Sequence, residues 1–487
     1  MAYLLTNEIE IAGFHIEDKD DYANPYYGNA LDGDHSLSGT TLSLKNANTL
    51  KIGDQVWLAN DSTNLYTIVA DLGSNQYTVD PDFQADYSDG DPVILHYKKL
   101  RGQVSRLSWE EDRAKEQVRN LQKADMLPTD VAYRKAENGT LTLEMEPSAD
   151  MVYLGLTALK FDPYSSFMAL ALGDVDLYGG GATAKCTLDP RPKTEEIQPF
   201  SFLAVGIDDS NWSGVWLFCG CVVEEVNYRA NDEKLRATFT IRYKYIYPIT
   251  LGSTKLDIAG SGLISAGGTT VVPEHDHGSP YLPQGDIDVK VYPSMRVLSF
   301  NAGRDKIYVS DTSYLPNLAA TDVITIRKAD GTSETRTVSS VGADYVEVSV
   351  AVSAGYEPKE CFILSPNRLD YMTSLDVMIN NRIEPVTRLQ SSEERVHKLP
   401  ALNQDITARL NYKRQDQSIV RASLADPYNA QIWAVLLMDK DDVEWELTLY
   451  RCIMDDNAGL EWRNDPEYQE PTISLRPADY GVRWEKP

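Results

Sequence analysis

Two short clusters contain residue types that bind metals or exchange electrons. The segment 274–277 (Glu-His-Asp-His) places two histidines on one side of an extended chain, where they could hold a metal ion. No third or fourth ligand follows at a recognisable spacing, so we interpret the segment as polar linker. Cys219 and Cys221 have the spacing C-x-C rather than C-x-x-C, which favours buried strand cysteines over a zinc or redox pair. Five cysteines in so long a chain do not indicate a disulfide framework.

The motifs of phosphate binding and of hydrolysis are missing. The three glycines at 179–181 do not connect a strand to a helix, and no Gly-Lys-Ser/Thr occurs. Neither a Gly-x-Ser-x-Gly elbow nor a His-Glu-x-x-His helix is present. Acidic residues are so numerous that no pair for glycoside hydrolysis can be singled out. We therefore predict no catalytic residue, no metal and no cofactor, and a protein that is not an enzyme.

The composition restricts the partners of the chain. Its 487 residues include 73 acids and 46 bases, which gives a net charge of −27. Binding to a phosphate backbone needs clustered Lys and Arg, and this balance would repel nucleic acid instead. There is no basic leader with an apolar core and no run of about 18 apolar residues. The sequence therefore predicts synthesis in a cytoplasm and no membrane contact.

The elements that would position functional residues occur twice. Residues 41–95 and 307–364 read as the same small β-domain at an offset of 268–269, and the register continues beyond it. The aligned segments are 54–58 on 322–326 (322 − 54 = 268), 73–79 on 342–348 (342 − 73 = 269), 93–95 on 362–364, Leu107 on Leu375, and 118–122 on 386–390. So few gaps over so many positions indicate an internal duplication. The function should use two similar units side by side.

Apolar and polar residues alternate over much of the chain. Leu141, Leu143 and Met145 alternate with polar residues, and 235–243 does the same, which predicts strands with one buried face. Helices are predicted over 149–159 and 428–437, each after a helix-start signal. The first half has an extra loop over 160–214, before a strand at 216–222.

The predicted fold is mainly β, with two tandem sandwich or barrel domains. Each domain has one flanking helix and an inserted small β-barrel or Ig-like domain. Residues 1–250 form the first half, with its insert at about 41–99. A Gly/Ser/Pro linker follows at 251–284, and residues 285–487 form the second half, with its insert at about 305–367.

Two long polar segments in corresponding places suggest contact with other molecules. One combines 110–116 with 123–135, and its counterpart combines 378–384 with 391–404. Sheets with free edges aggregate unless those edges are covered or paired. A protein that stacks in closed rings uses such edges for assembly, and pairing round the ring builds a wide β-lined barrel. An acidic barrel would let DNA pass without sticking.

The order of these elements resembles that of bacteriophage tail tube (major tail) proteins. A strand at 141–145, a helix near 149, a strand at 216–222 and a strand at 235–243 carry the resemblance. The duplication is similar to that of two-domain tube proteins of siphophages, in which three chains form a ring of six tube domains. The resemblance implies a structural subunit of the virion tail, polymerising as stacked rings into an acidic-lumened conduit for genome delivery.

The same resemblance implies partners and functional residues. The partners would be further copies of the chain, other tail proteins (distal tail, tail terminator and tape measure) and DNA that passes without specific binding. The candidates for inter-ring contact are Glu110, Glu111, Asp112, Arg113, Lys123, Asp125, Asn380, Asn381, Arg382, Glu393, Glu394 and Arg395. The candidates for acids that face the lumen are Glu144, Glu146, Glu224 and Glu225.

Two other functions fit the sequence. The chain could be a distal tail or baseplate component of the same particle, because those proteins share the tube fold. It could also be a glycan-binding or glycan-cleaving β-protein, since its 28 Tyr and 8 Trp could stack on sugars. The same aromatic residues could anchor protein interfaces, and the sequence does not choose between these uses.

Overall fold

The computed structural model describes the parts of the chain in which strands pair. The described residues are 3–4, 9–17, 29–46, 50–58, 64–96, 98–99, 102–112, 115–118, 130–133, 138–147, 153–154, 160–161, 169–178, 185–190, 197–208, 211–231, 234–249, 287–310, 312, 315–328, 332–358, 361–364, 372–386, 399–401, 404–412, 431–440, 443–454, 472–477 and 479–485. The predicted linker, 251–284, and the glycines at 179–181 lie outside them.

Almost all of the described secondary structure is β-strand, as the sequence predicts. The strands of the first half are β1 (Tyr3–Leu4), β2 (Ile9–Ile16), β3 (Asn29–Ala30), β4 (Thr41–Ser43), β5 (Gln55–Leu58), β6 (Leu65–Gly73), β7 (Gln76–Asp80), β8 (Pro92–His96), β9 (Lys98–Lys99), β10 (Gly102–Asp112), β11 (Lys115–Val118), β12 (Asp130–Tyr133), β13 (Asn138–Pro147), β14 (Tyr153–Leu154), β15 (Lys160–Phe161), β16 (Gly173–Tyr178), β17 (Lys185–Pro190), β18 (Phe200–Asp208), β19 (Asn211–Asn231), β20 (Leu235–Tyr243) and β21 (Tyr245–Ile249).

The second half contributes twelve more strands and one 3-10 turn, Leu315–Asn317. Its strands are β22 (Ile287–Phe300), β23 (Lys306–Val309), β24 (Val323–Lys328), β25 (Ser333–Val341), β26 (Tyr345–Val348), β27 (Cys361–Leu364), β28 (Met372–Asn380), β29 (Asp405–Tyr412), β30 (Gln431–Lys440), β31 (Val443–Met454), β32 (Thr472–Arg476) and β33 (Asp479–Glu485).

The first insert is a closed six-stranded barrel, which we call the first barrel. Its strands pair in the order β3, β8, β5, β6, β7, β4. A bridge between Leu31 and Leu44 joins β4 back to β3 and closes the ring. Leu31 is fully buried, so the barrel begins near residue 29 rather than at the predicted 41.

The second insert, the second barrel, has the same cyclic order of pairings. The end of β22 takes the place of β3, and the ring runs through β27, β24, β25, β26 and β23 before it returns to β22. Cys361 and Ile363 point into its core, as Val93 and Leu95 do in the first barrel. Val93 and Leu95 therefore correspond to Cys361 and Ile363, and the sequence alignment of 93–95 on 362–364 is wrong by one residue. A shift of one residue would exchange the core-facing and outward-facing side chains of the strand.

The main strands outside the barrels form two sheets in each half, and the two sheets share one long strand. In the first half one sheet is β10, β13, β20, β19 and the other is β2, β18, β19, β21. In the second half the corresponding sheets are β28, β29, β32, β31 and β22, β30, β31, β33. Every pairing of the first set thus has a counterpart in the second set.

The predicted helices are wrong where the structure describes them. Residues 153–154 form strand β14, and β30 replaces most of the helix expected over 428–437. Residues 432–438 form an unbroken apolar run, whose periodicity cannot distinguish a helix from a buried strand. In the structure this segment pairs with β22 on one side and β31 on the other, which stabilises it as a strand. The single α-helix within the described residues is α1, Ala169–Leu172, so one flanking helix per half is not found.

The extra loop predicted over 160–214 is also wrong, since much of it is strand. It contains the hairpin β16–β17 and the core strand β18. Strand β17 pairs with β33, so this hairpin of the first half extends a sheet of the second half. Its partner lies almost 300 residues away along the chain, and local sequence pattern carries no signal of it.

One hydrophobic core joins the two halves. Phe218 and Val226 of the first half and Val377 and Leu410 of the second half belong to the same buried cluster. Cys219, Cys221, Cys361 and Cys452 are free and buried, which confirms their predicted role as small core residues. The side chain of Cys186 lies outside the described part of the chain.

Candidate assembly surface

A single antiparallel sheet crosses both halves of the chain. Eight strands pair in the order β10, β13, β20, β19, β28, β29, β32, β31. We call it the long sheet. Alternation turns one face to the core, and the other face, the polar face, carries mainly Thr, Ser, Asn and charged residues. On β13, β20 and β28 its members are Thr140, Thr142, Glu144, Glu146, Arg236, Thr238, Thr240, Arg242, Ser374, Asp376, Met378 and Asn380.

Two of the predicted lumen acids lie on this polar face. Glu144 and Glu146 alternate with the buried Leu143 and Met145, as the sequence predicts. Glu144 accepts a hydrogen bond from Nη1 of Arg106 at 3.3 Å, across from it on β10. Glu146 forms an ion pair with Lys234.

The other two acids, Glu224 and Glu225, are adjacent in sequence, and regular alternation would place them on opposite faces of the sheet. A bulge in β19 resolves this, because Val223 pairs with Ile241 while Glu225 pairs with Thr240. Glu224 is the extra residue, and a bulge of this kind re-aims a side chain. Glu224 accepts two hydrogen bonds from Arg242, at 2.7 Å from Nε and 3.2 Å from Nη2. Its neighbour Glu225 accepts one from Nδ2 of Asn380 at 2.9 Å.

The polar face carries both acidic and basic side chains, so it is not predominantly acidic. Three of the four predicted acids have a basic partner, and further arginines stand among the acids, including Arg229, Arg236 and Arg409. Ion pairs at a partly exposed surface contribute little to stability, but they cancel much of the local potential. Three of the four acids predicted to face a lumen are therefore largely neutralised by their partners, and their place in a lumen stays a prediction.

The two halves meet where β19 pairs with β28, in a ladder of seven residue pairs from Glu225 with Asn380 to Asn231 with Ser374. Nε of Arg229 lies 3.4 Å from Oδ1 of Asp376 across this seam. Burial raises the pKa of Asp376, and the nearby guanidinium groups of Arg229 and Arg409 offset this only in part. The seam is thus a continuous backbone ladder with side-chain links on its polar face.

Asn381 anchors one end of the seam and is not a surface residue. Its side chain is fully buried, and Nδ2 donates to the carbonyl oxygens of Ala171 at 2.9 Å and Val223 at 3.0 Å. Oδ1 accepts from Nε2 of Gln404 at 3.0 Å, and the backbone N–H donates to the carbonyl of Glu224 at 2.7 Å. Asn381 therefore joins α1, the bulge of β19 and the second half. As a candidate for inter-ring contact it is wrong, because its side chain does not reach the surface.

Asn380 lies on the polar face at the end of the seam, where it donates to Glu225. The other predicted contact residues fall into three groups. Glu110 and Arg382 are exposed, and Arg382 forms an ion pair with Asp405. Glu111 and Asp112 complete β10, but their side chains lie outside the description. Outside the described residues altogether are Arg113, Lys123, Asp125, Glu393, Glu394 and Arg395.

The polar segments that contain these residues leave the long sheet at the same place in each half. In the first half β11 and β12 pair as a separate two-stranded ribbon between β10 and β13. In the second half a bridge between Ile383 and Ala401 lies between β28 and β29. Each segment thus leaves the sheet and returns to it through paired backbone.

Sequence reasoning missed the buried polar pairs that attach the barrels. His15 of β2 and Asp54 of the first barrel are almost completely buried, and Nε2 of His15 lies 3.0 Å from Oδ2 of Asp54. Arg327 of the second barrel and Glu446 of β31 form an ion pair that is also largely enclosed. The partners are 39 and 119 residues apart in sequence, and only the fold brings them together.

Ser201 pairs with His15 on the adjacent strand, so serine, histidine and aspartate meet beneath the first barrel. All three side chains are at most 1% exposed, and no substrate could reach them.

Burial also raises the pKa of the Cys221 and Cys452 thiols, which disfavours the reactive thiolate. Within the described residues no group of three or more His, Cys, Asp or Glu could hold a metal ion. No helix in this part of the chain is long and apolar enough to cross a membrane.

No protein-family model matches the chain, and a search of the curated proteins finds no match either. The function must therefore be argued from the arrangement of strands and side chains. The long sheet, with its two outer edges and its polar face, is the feature that a function has to explain.

Proposed function

We propose that the chain is a structural subunit of a phage tail tube, which polymerises as stacked rings into a conduit for genome delivery. The observation that carries this proposal is the seam, in which β19 of one half pairs with β28 of the other along seven residues. Two similar units that join through sheet edges inside one chain can join the same way between chains. The fold would then be two tandem tube domains, each with an inserted barrel.

The repeat predicts how neighbouring copies meet. Strand β31 corresponds to β19, and β10 corresponds to β28, by their places in the two sets of pairings. The seam contact between β19 and β28 would therefore recur between the continuation of β31 in one copy and β10 of the next. Met454 corresponds to Val223, so the counterparts of 225–231 follow the end of β31 and lie outside the described residues. Such a head-to-tail contact closes into a ring when the rotation permits. Three copies would close a barrel of 3 × 8 = 24 strands, with six similar units around it.

The polar face would line this barrel. Its threonines, serines and amides are small and uncharged, and Glu144, Glu146 and Glu224 are paired with arginine or lysine. Because few unpaired cations are available for phosphates, DNA would pass without being held. The paired acids would keep the surface from carrying a strong positive potential of its own.

The polar segments would connect one ring to the next. The β11–β12 ribbon and the residues around Ile383 and Ala401 leave the sheet at corresponding ends. In a ring all six would project to the same side. Glu110 and Arg382 stand at their bases, where a neighbouring ring would meet them.

The proposal is tested by measuring assembly directly. Tag-free protein is concentrated, its mass is followed by light scattering at several dilutions, and the same samples are imaged by negative-stain electron microscopy. We expect rings of three copies or hollow filaments with a regular axial repeat, which dissociate on dilution. A mass of one chain at every concentration, together with reproducible binding to a polysaccharide, would favour the glycan-binding function instead.

A further inference from the structure

The edge of β10 that would receive a neighbouring copy already has a partner within the chain. Strand β1 pairs with β10, with Tyr3 opposite Trp109 and Leu4 opposite Ser108. It lies on the side of β10 away from β13. This is the side on which β28 receives β19 in the seam.

The correspondence extends to single residues. Trp109 of β10 corresponds to Val377 of β28, because Trp109 pairs with Leu141 and Val377 with Ala408 at equivalent places on the next strand. In the seam Val377 pairs with Tyr228, whereas Trp109 pairs with Tyr3. Strand β1 thus occupies, with the same residue type, a position that β19 occupies in the seam.

The two partners differ in length. The seam contains seven residue pairs, from 225–231 with 374–380, while β1 provides two pairs on β10. The other positions of β10 that correspond to the seam have no strand on that side among the described pairings. Since every second pair of an antiparallel ladder exchanges backbone hydrogen bonds, a strand that makes seven pairs displaces one that makes two.

We propose that β1 is a removable cover of the β10 edge, which a strand of a second copy of this chain displaces when copies join. This inference depends on the proposed self-assembly and adds a control step to it. The covered edge prevents uncontrolled pairing of free subunits, which is a known hazard of exposed strand edges. Assembly would then require removal of two short pairs rather than refolding of a domain.

A disulfide that locks the cover provides a reversible test. Leu4→Cys and Ser108→Cys are introduced together in a Cys186→Ser background, since these two positions face each other in the register. The four described native cysteines are buried and do not compete. We expect the oxidised protein to remain monomeric and the reduced protein to assemble like the wild type. The two single-cysteine variants serve as controls and should show no dependence on redox state.

A deletion gives the opposite change. Without residues 2–6 the cover is lost, and the concentration needed for assembly should fall about tenfold. Of the two residue pairs between β1 and β10, about one exchanges backbone hydrogen bonds, and these no longer have to be broken. If the oxidised and reduced double-cysteine proteins assemble equally well, the cover is refuted while the proposed assembly stands.

If neither wild-type nor reduced protein assembles, it is the proposed function that fails, and the cover is judged separately. A peptide of residues 1–8 is then added to the deletion variant, and hydrogen exchange of residues 106–111 is measured. Protection of these amides by the peptide supports the cover. Unchanged exchange at saturating peptide overturns it.

Discussion

The two barrels share their construction but differ in how they are attached. Both close through the same cyclic order of strands, and in both the same turn precedes the third strand, β5 or β24. Lys51 N donates to Oδ2 of Asp54 at 2.7 Å, and Ala319 N donates to Oδ2 of Asp322 at 2.8 Å. The backbone N–H and carbonyl groups around the two aspartates pair with Ile68 in one barrel and with Val338 in the other.

The attachments use different parts of the fold. The core of the first barrel includes Leu203, Leu217 and Tyr245, which belong to the sheets beneath it. The core of the second barrel, among the described side chains, has no member from β30, β31 or β33. Instead β22 runs without interruption from its sheet into the second barrel. A barrel that packs on its sheet needs no continuous strand, and a barrel that continues a strand needs less shared core.

The buried polar pairs differ accordingly. Asp54 of the shared turn reaches His15 of the sheet beneath, whereas the second barrel uses Arg327, at another position, to reach Glu446. The two barrels thus share the closed ring and its turn, while their contacts to the rest of the chain differ.

Removing Glu446 should weaken the attachment of the second barrel most. Glu446→Ala leaves the Arg327 guanidinium largely enclosed without its carboxylate, which costs about 3–5 kcal/mol. The double variant Arg327→Met with Glu446→Leu removes both charges and should cost much less than the single change. Native-state hydrogen exchange, read separately for the two barrels, measures both. Equal losses in the single and double variants would show that the ion pair is not the link.

Matched substitutions of the two turn aspartates should have unequal effects. Asp54→Ala removes the turn bond and the buried contact with His15, and should cost about 3 kcal/mol. Asp322→Ala removes the turn bond of a half-buried residue and should cost about 1 kcal/mol. Urea titration of both variants gives the two values. Similar values would contradict a special role of Asp54 in attachment.

Substitutions of the residue before each aspartate should change stability in opposite directions in the two barrels. Gly53 has φ of 91° and Thr321 has φ of 84°, a region that a β-branched residue rarely adopts. Thr321→Gly should therefore stabilise the second barrel by about 1 kcal/mol, and Gly53→Thr should destabilise the first by at least about as much. Thermal unfolding of the two variants checks the signs. A destabilised Thr321→Gly protein would mean that the threonine side chain has a compensating contact.

The smallest effect concerns stability at high pH. Burial raises the pKa of Tyr77 in the first barrel, and the carboxylates of Asp71 and Asp54 add to this, whereas Val346 occupies the same place in the second barrel. The folded state thus favours the neutral phenol. The stability that Tyr77 contributes in this way is complete below the pKa of about 10 in the unfolded chain, and it is lost as pH rises through the higher pKa of the folded protein.

Tyr77→Phe should remove that loss. Urea midpoints measured between about pH 9 and about pH 11 should fall less in the variant than in the wild type. The second barrel provides the internal control, because no tyrosine stands at Val346. Parallel curves for variant and wild type would exclude Tyr77 as the titrating group.

Sequence reasoning could align strands of the two barrels because those strands keep the same local pattern. Val56 and Ile324 are both fully buried at aligned positions, and Tyr77 and Val346 correspond in the same way. It failed for β30, whose apolar run suits a helix or a strand, and for the β16–β17 hairpin, whose partner β33 is distant in sequence. It also placed Asn381 on the surface, because a polar residue after a strand gives no sign that four hydrogen bonds enclose it.

In the proposed assembly the long sheet continues from one copy of the chain to the next. Electron cryo-microscopy of the concentrated protein tests it most directly, at a resolution that separates strands. We expect hollow rings of three copies in which the continuation of β31 in each copy lies beside β10 of its neighbour and the polar face lines the interior. Assemblies that join through the barrels, or that turn the polar face outward, would contradict it.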